Sequence, residues 1–272
     1  MSLPANTHME SALRSALDWW QEAGVETPPI KSGKAGAKAR AARSTKRPAP
    51  PAKANTPALQ TARSTSQSEA AEIDAVIKAA QDMSASAKTL EAFYEQLKKF
   101  NAGSLSDGAR QAVISRGNPE ARVMVIGEAP GQDEDNAGQP FIGPTGQFLD
   151  KVLASIGLTS DAVYLTNICN WRLPNNRKPA EAELNICRPI VTRHIELIQP
   201  KLIVLLGASA MSLLTGRSSI TKCRGEWETI DAAGQPTPAL ICYHPAYVLR
   251  QPHLKRELWR DMLALKGQID SL

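Results

Sequence analysis

The feature that most constrains the fold is a regular alternation of apolar runs and amphipathic segments that starts at Arg122. Four runs have the length and composition of buried strands, and they are Val123–Ile126, Val163–Ile168, Leu202–Leu206 and Ala239–Tyr243. Helical spacing of apolar residues marks the segments Gln147–Ile156, Ala180–Ile198, Ser209–Leu214 and about Leu254–Lys266. This alternation predicts an α/β three-layer sandwich, in which helices cover both faces of a central, mainly parallel four-stranded sheet.

The first part of the chain has a different composition. Apolar residues recur at helical spacing from Met9 to Ala23, which predicts a short amphipathic helix within residues 1–26. Residues 27–68 contain nine Lys and Arg residues, no acidic residue and few large apolar ones, so we expect a disordered basic linker. Two more helical patterns, Glu69–Met83 and Thr89–Phe100, lead into a folded domain predicted at residues 69–272.

Charge and cysteine content narrow the class of protein. The formal net charge is +5, and the basic linker carries all of this excess, which suits either a tether to nucleic acid or a solvated spacer. No apolar stretch matches a membrane helix or a secretory signal, so we expect a soluble, cytoplasmic protein without a membrane partner. The four cysteines include no C-x-x-C pair, which predicts reduced thiols and no metal site: Cys169, Cys187, Cys223 and Cys242.

The loop after the first strand, residues 127–143, is rich in glycine and proline and carries a cluster of acids. Ligands of open α/β sheets bind at the carboxyl ends of the strands, so this loop is a candidate site. The acids are costly to cluster unless something uses them, and they argue against phosphate binding: Glu128, Asp133, Glu134 and Asp135. A loop of this kind could also hold magnesium in a nucleotide hydrolase, which stays an alternative.

Two later loops carry residues suited to DNA. The loop at residues 167–179 combines amides and basic residues with Trp171, as expected for contact with a sugar–phosphate backbone and exposed bases. The last strand ends at His244, which should point into the crevice. The residues assigned to DNA contact are Arg172, Asn176, Arg177, Tyr247, Leu249 and Arg250. For Leu249, a wedge between bases and plain burial both stay open.

Together these loops resemble the uracil-DNA glycosylase superfamily, and most closely its bacterial and archaeal family-four enzymes. The matching segments are Gly127-Glu128-Ala129-Pro130-Gly131 with Glu134-Asp135, Gly138 to Gly143, Tyr164-Leu165-Thr166-Asn167, and His244 to Arg250. Their order and spacing agree from about Thr89 to Leu265, and the first 85 or so residues lie outside the resemblance. The resemblance implies a monofunctional hydrolase that flips uracil out of DNA, cuts its N-glycosidic bond and starts base excision repair.

The resemblance also assigns roles to residues. It gives catalysis to His244, Glu134 and Glu128, with His244 donating a hydrogen bond to uracil O2 and Glu134 holding or activating the attacking water. It gives uracil binding to Phe141, Asn167, Ala129 and Gly127, with Phe141 stacking on the base and Asn167 reading its polar edge. An amide offers both a donor and an acceptor, which suits discrimination of uracil from cytosine.

One departure from the family pattern concerns a cofactor. The family usually binds an iron–sulfur cluster through four cysteines, but the stretch Phe100 to Arg110 has none, and Trp171 stands at the third ligand position. Only Cys187 is retained. We therefore expect no iron–sulfur cluster and no other cofactor.

The resemblance also implies a binding partner, an assembly state and a location in the cell. The partner should be uracil-containing DNA, bound by a monomer associated with the bacterial nucleoid. A glycosylase of the same fold that prefers hypoxanthine or xanthine is one alternative, and a non-catalytic DNA-binding protein is another. Intact Asn167, His244 and Glu134 argue against loss of catalysis.

Overall fold

The computed structural model describes residues 61–232 and 234–272, and side chains from residue 71 onward. The predicted helix at Met9–Ala23 and most of the predicted linker lie outside these residues. The last part of that linker, residues 61–68, belongs to helix α1 (Thr61–Ser86), which begins earlier than its apolar pattern predicts. Helix propagation costs little once a helix is nucleated, so weakly patterned residues extend it.

The core is a six-stranded sheet of order β1-β3-β2-β4-β6-β5. Its strands are β1 (Ser115–Gly117), β2 (Val123–Gly127), β3 (Val163–Asn167), β4 (Leu202–Leu206), β5 (Trp227–Ala232) and β6 (Gln235–Cys242). The strands β3, β2, β4 and β6 pair in parallel, which confirms the predicted central sheet. Strand β3 lies on one side of β2 and strand β4 lies on the other. The direction in which successive strands are added to the sheet therefore reverses at β2.

The two edge strands were not predicted. Strand β1 pairs antiparallel with β3, and β5 pairs antiparallel with β6. Strand β1 is three residues of Ser-Arg-Gly, and β5 alternates exposed and buried positions. Neither has the continuous apolar run that marks a strand buried on both faces, and this is why the sequence pattern missed them.

The described helices pack around this sheet. They are α2 (Leu90–Lys99), α3 (Gln132–Ala137), α4 (Pro144–Ala154), α5 (Glu181–Ile198), α6 (Ala208–Thr215), α7 (Ile220–Cys223), α8 (Pro245–Arg250) and α9 (Lys255–Asp270). Helices α2, α4, α5, α6 and α9 confirm predicted ones, with ends shifted by a few residues. Among the described residues, no helix has the length and apolar character needed to cross a membrane.

A buried polar network ties the helical layer to the sheet, away from the strand ends. The Tyr164 hydroxyl on β3 hydrogen-bonds Tyr94 on α2 and lies 2.5 Å from His194 Nε2 on α5. Ser115 on β1 donates to Tyr94 at 2.8 Å. Burial lowers the pKa of His194 to about 3 and raises that of Tyr164, so both groups are neutral and the network carries no charge.

Candidate active site

A cleft of about 730 Å³ lies at the carboxyl ends of the parallel strands, where the strand order reverses. The loops after β2, β3, β4 and β6 all contribute to its wall. The expected residues that line it are Glu128, Ala129, Glu134, Phe141, Asn167, Asn176, Arg177, His244, Tyr247 and Arg250. The parallel sheet thus brings together side chains separated by more than one hundred positions in the chain.

The floor of the cleft is built around Gly127, the last residue of β2 and the register partner of Asn167 on β3. A Cβ added at Gly127 would lie 2.5 Å from both Asn167 Oδ1 and Phe141 Cζ. The aromatic ring and the amide therefore converge above this glycine, and any larger residue would push them apart. Gly127 shapes the floor although its own atoms are not among those that line the cleft.

Phe141 adopts an unusual backbone conformation. Its φ is +57°, in the left-handed region that bulky residues rarely enter. The turn is clamped by Gly146 on α4, where a Cβ would fall 1.8 Å from the Phe141 carbonyl oxygen. The ring is buried and faces His244, with ring centroids 6.4 Å apart and planes inclined by 30°. Backbone strain held by surrounding structure is typical of functional sites.

Glu134 holds this turn together. One carboxylate oxygen accepts hydrogen bonds from the N–H groups of Ile142 and Gly143, at 3.1 and 2.9 Å, and the other accepts from Gly131 at 3.0 Å. Its side chain is buried on α3. Three backbone donors occupy most of the acceptor capacity of a carboxylate, so these contacts favour a positioning role over the expected activation of water.

The other acids of the same loop do not form a magnesium site. Asp135 is buried and accepts a hydrogen bond from the Arg110 N–H at 2.8 Å, while Asp133 is exposed. Since Glu134 and Asp135 are both committed to backbone donors, the alternative of a metal-dependent nucleotide hydrolase loses its support. The cost of clustering these acids is offset by the loop architecture that they hold.

Asn167 presents an unused acceptor. Its side chain is 3 % exposed at the end of β3, yet its Oδ1 accepts no hydrogen bond from any described residue. Leaving a buried carbonyl oxygen unpaired costs about 1–3 kcal/mol, and the great majority of such atoms are paired. Because Asn167 lines the cleft, its unpaired amide oxygen is a candidate acceptor for a ligand that donates a hydrogen bond.

His244 is held as a neutral donor. It precedes α8, and its Nδ1 accepts a hydrogen bond from the Ala246 N–H at 3.2 Å, so the ring proton resides on Nε2. Desolvation, with the charges of Arg250 and Lys178, lowers the pKa of His244 to about 4. The imidazole is therefore uncharged near neutral pH and offers a single N–H donor.

Glu128 adds a second carboxylate to the cleft. Its Oε2 accepts a hydrogen bond from Ser209 Oγ at 2.6 Å, and Ser209 lies in the first turn of α6, after β4. No motif in the sequence marks Ser209 as a site residue. Its position directly after a buried strand was the available signal, since strand ends meet at one edge of a parallel sheet.

The expected DNA-contacting residues fall into two groups: those whose side chains are bonded to other residues of the chain, and those that are open to solvent. Arg177 forms a bidentate ion pair with the buried Glu183, at 2.7 and 2.6 Å, which lowers the pKa of that carboxyl. Arg172 donates to Asn176 Oδ1 at 3.1 Å, which orders the loop. The partners of Arg177 therefore support a structural role in place of the expected DNA contact.

The expected DNA-contacting residues on α8 are open to solvent, and Leu249 is the one of them that does not line the cleft. Tyr247 and Leu249 on α8 are 39 % and 40 % exposed, and Arg250 is exposed beside them. This exposure excludes plain burial of Leu249, one of the two alternatives left open by the sequence. Lys178 and Tyr243 also line the cleft, although the sequence assigned them no role. Lys178 stands next to Arg177 in a basic loop, so its charge was the available signal.

The cysteines do not match the donor set of an iron–sulfur cluster. Cys169 and Cys187 are both buried, and a hydrogen bond between them, together with burial, raises the pKa of the Cys187 thiol well above its usual value. Trp171, which stands at the third ligand position of the family pattern, packs against Phe100, with ring centroids 6.1 Å apart. Within residues 71–232 and 234–272, no three side chains of His, Cys, Asp or Glu are grouped to hold a metal ion. A four-thiolate cluster does not fit these residues.

Comparison with known proteins adds independent findings. Residues 114–263, more than half of the chain, match the Uracil DNA glycosylase superfamily. The chain is 36% identical over 188 residues to the type-4 uracil-DNA glycosylase of Saccharolobus solfataricus, which covers 67% of this chain and 87% of that protein. It is 36% identical over 184 residues to the type-4 enzyme of Thermotoga maritima, covering 66% and 94%. The type-5 uracil-DNA glycosylase of Thermus thermophilus is 30% identical over 167 residues, covering 54% and 75%.

Proposed function

Because the chain belongs to the Uracil DNA glycosylase superfamily, we propose that it hydrolyses the N-glycosidic bond of uracil in DNA and so starts base excision repair. Family membership makes the protein a DNA glycosylase, a hydrolase acting on N-glycosyl bonds. The observation that carries the choice of uracil is the unpaired, buried Asn167 Oδ1 beside Phe141. It would accept the N3–H of a uracil stacked on the Phe141 ring, whereas cytosine has no hydrogen there.

As the glycosidic bond breaks, negative charge develops on the base and positive charge develops on the sugar. Water attacks C1′ of the deoxyribose, the bond from C1′ to N1 breaks, and its electron pair leaves with uracil as an anion. The proton that the water loses finally neutralises this anion, so the products are an abasic sugar and uracil. The neutral His244 would donate its Nε2–H to uracil O2, a bond that strengthens as negative charge builds on the leaving base. The sugar becomes positively charged, so a carboxylate beside it lowers the barrier, and Glu128, which lines the cleft, would provide one.

Two residues receive roles that differ from the sequence-based expectation. Glu134 would act as a positioning residue, because its three backbone hydrogen bonds hold the turn that carries Phe141. Arg177 would stabilise the loop through Glu183, leaving DNA phosphates to Arg250, Lys178 and Arg172. Tyr247 and Leu249 would contact the bases next to the flipped nucleotide, since they are exposed at the rim. The expected monomeric state stays a prediction.

The test is incubation with duplex oligonucleotides that carry one uracil, hypoxanthine or xanthine, in a metal chelator, followed by alkali to cut abasic sites. Release from the uracil duplex supports the proposal. Cleavage only at hypoxanthine or xanthine would replace the substrate, and cleavage of none would favour a DNA-binding protein without catalysis. Activity that requires a divalent metal would revive the nucleotide hydrolase.

We also propose that catalysis proceeds without an iron–sulfur cluster, because only Cys187 occupies a ligand position of the family pattern and Trp171 stands at another. Protein purified anaerobically should be colourless and contain no stoichiometric iron. Iron analysis and the visible absorption spectrum measure this directly. A brown protein with a broad absorption band and several iron atoms per chain would contradict the proposal.

A further inference from the structure

The hydrogen bond from Ser209 to Glu128 joins two loops that both reach the cleft. Strands β2 and β4 are parallel neighbours, with Val125 opposite Val204, and these two residues lie just beyond their carboxyl ends. Ser209 is 9 % exposed, and its Oγ lies 2.6 Å from Glu128 Oε2. This is the short distance of a hydroxyl that donates to a charged acceptor, the stronger class of hydrogen bond.

The backbone of Glu128 is fixed as well. The Glu128 carbonyl oxygen accepts a hydrogen bond from the Cys169 N–H at 3.0 Å, and the Gly127 carbonyl oxygen accepts one from the Ile168 N–H at 2.9 Å. The pairing of β2 with β3 therefore continues past the ends of both strands. The Glu128 side chain is half-buried on the wall of the cleft, and no other described residue hydrogen-bonds its carboxylate. One oxygen is therefore anchored and the other is free to accept a hydrogen bond from water.

The neighbouring acids lack this combination. Both oxygens of Glu134 accept backbone hydrogen bonds, and Asp135 is committed to Arg110. Asp133 is exposed on α3 and has no anchoring bond among the described residues. Of the four acids in the loop, Glu128 is both held in place and open toward the cleft.

We infer that Ser209 is a positioning residue that orients the Glu128 carboxylate toward the attacking water and the developing positive charge on the sugar. This inference rests on the proposed function and deepens it, because it assigns the anionic part of the site to Glu128 and names the group that aims it. Holding a reacting group in the productive geometry contributes to rate, and its loss slows the chemical step more than it weakens binding.

The experiment is a double-mutant cycle in single-turnover excision of uracil from duplex DNA, with enzyme in excess. Ser209→Ala should slow excision about tenfold, since a hydrogen bond to a charged group contributes about that factor. Glu128→Ala should slow it by a larger factor, and the double variant should be no slower than Glu128→Ala within about twofold. Ser209→Thr keeps the hydroxyl and should recover most of the rate, and DNA affinity should stay within about twofold throughout.

Ser212→Ala is the matched control, because Ser212 is exposed on the same helix and makes no side-chain hydrogen bond among the described residues. It should excise uracil at the wild-type rate and melt at the wild-type temperature. The inference would be overturned if the rate loss of the double variant equalled the product of the two single losses, or if Ser209→Ala excised uracil at the wild-type rate. The proposed function would stand in either case. A wild-type protein that releases no uracil would instead overturn the proposed function, and the inference with it.

Discussion

The floor and the rim of the cleft are built in different ways. On the floor, Phe141, Asn167 and His244 are held by strand ends, close glycine contacts and backbone hydrogen bonds. On the rim, Tyr247, Leu249 and Arg250 extend into solvent from one short helix. The difference fits the two tasks of the proposed function, since chemistry needs groups fixed before the substrate arrives, whereas contact with the DNA backbone tolerates mobile charged side chains.

The largest effect should come from the floor. Removing the donor in His244→Ala should slow single-turnover excision by about 100 to 1,000 fold, or about 3 to 4 kcal/mol, with DNA affinity little changed. His253→Ala is the control, because His253 lies in the turn before α9 and does not line the cleft. A near wild-type rate for His244→Ala would mean that another group stabilises the leaving base.

A smaller loss of activity is expected from removing the ring of Phe141, on which the flipped base would stack. Phe141→Ala should remove stacking worth about 1–3 kcal/mol and weaken capture of uracil before the bond breaks. The measurement is the enzyme concentration that gives half-maximal single-turnover rate, which should rise more than the maximal rate falls. Phe148 on α4 is not part of the cleft lining, so Phe148→Leu is a control for aromatic substitution nearby. Unchanged capture by Phe141→Ala would assign the ring to packing alone.

Substitutions on the rim should change how DNA affinity depends on salt concentration, whereas substitutions on the floor should not. Arg250→Ala and Lys178→Ala should each weaken DNA binding a few fold and reduce the slope of log affinity against log salt by about one. Excision of bound uracil should keep its rate. An unchanged salt slope in both variants would show that phosphates are met elsewhere.

Substitution of Arg177 tests whether this residue stabilises the loop through Glu183 or contacts DNA. Arg177→Ala should leave the salt slope of DNA binding unchanged and lower the free energy of unfolding by about 1–2 kcal/mol, because the buried Glu183 loses its charged donor. Urea denaturation measures the second effect. A change of about one in the salt slope would restore the DNA contact expected from the sequence.

The smallest effect on rate is expected from pH. With a pKa of about 4, His244 is neutral from pH 5.5 to 8, and its contribution to the excision rate should be constant there. The unfolded chain binds a proton at a pKa near 6.5, so the free energy of unfolding should fall as pH is lowered from about 6.5 toward 4. His194 adds to the same trend. A step in the wild-type rate near pH 6.5 that is absent in His244→Gln would contradict a neutral His244.

The sequence by itself determined the central architecture and where the site would lie. Strands β2 and β4 are mainly apolar runs buried on both faces, and the buried strand β3 begins as one, a pattern that local composition carries directly. Since parallel strands end at a common edge, the loops that begin at Gly127, Asn167 and His244 had to meet there. The edge strands were beyond this reasoning, because β1 and β5 are formed by pairing with a neighbour and not by their own apolar pattern.

Only the tertiary structure decided what each charged side chain does. Glu128 and Glu134 look equivalent in the sequence, yet Glu128 accepts one hydrogen bond from a serine after another strand, whereas Glu134 accepts three from backbone N–H groups. Arg177 and Arg250 look equally suited to DNA, but among the side chains that the structure describes, Arg177 pairs with a buried carboxylate and Arg250 with none. Such roles depend on partners from distant parts of the chain and on burial, which sets the energy of a charge, and neither is encoded in local sequence.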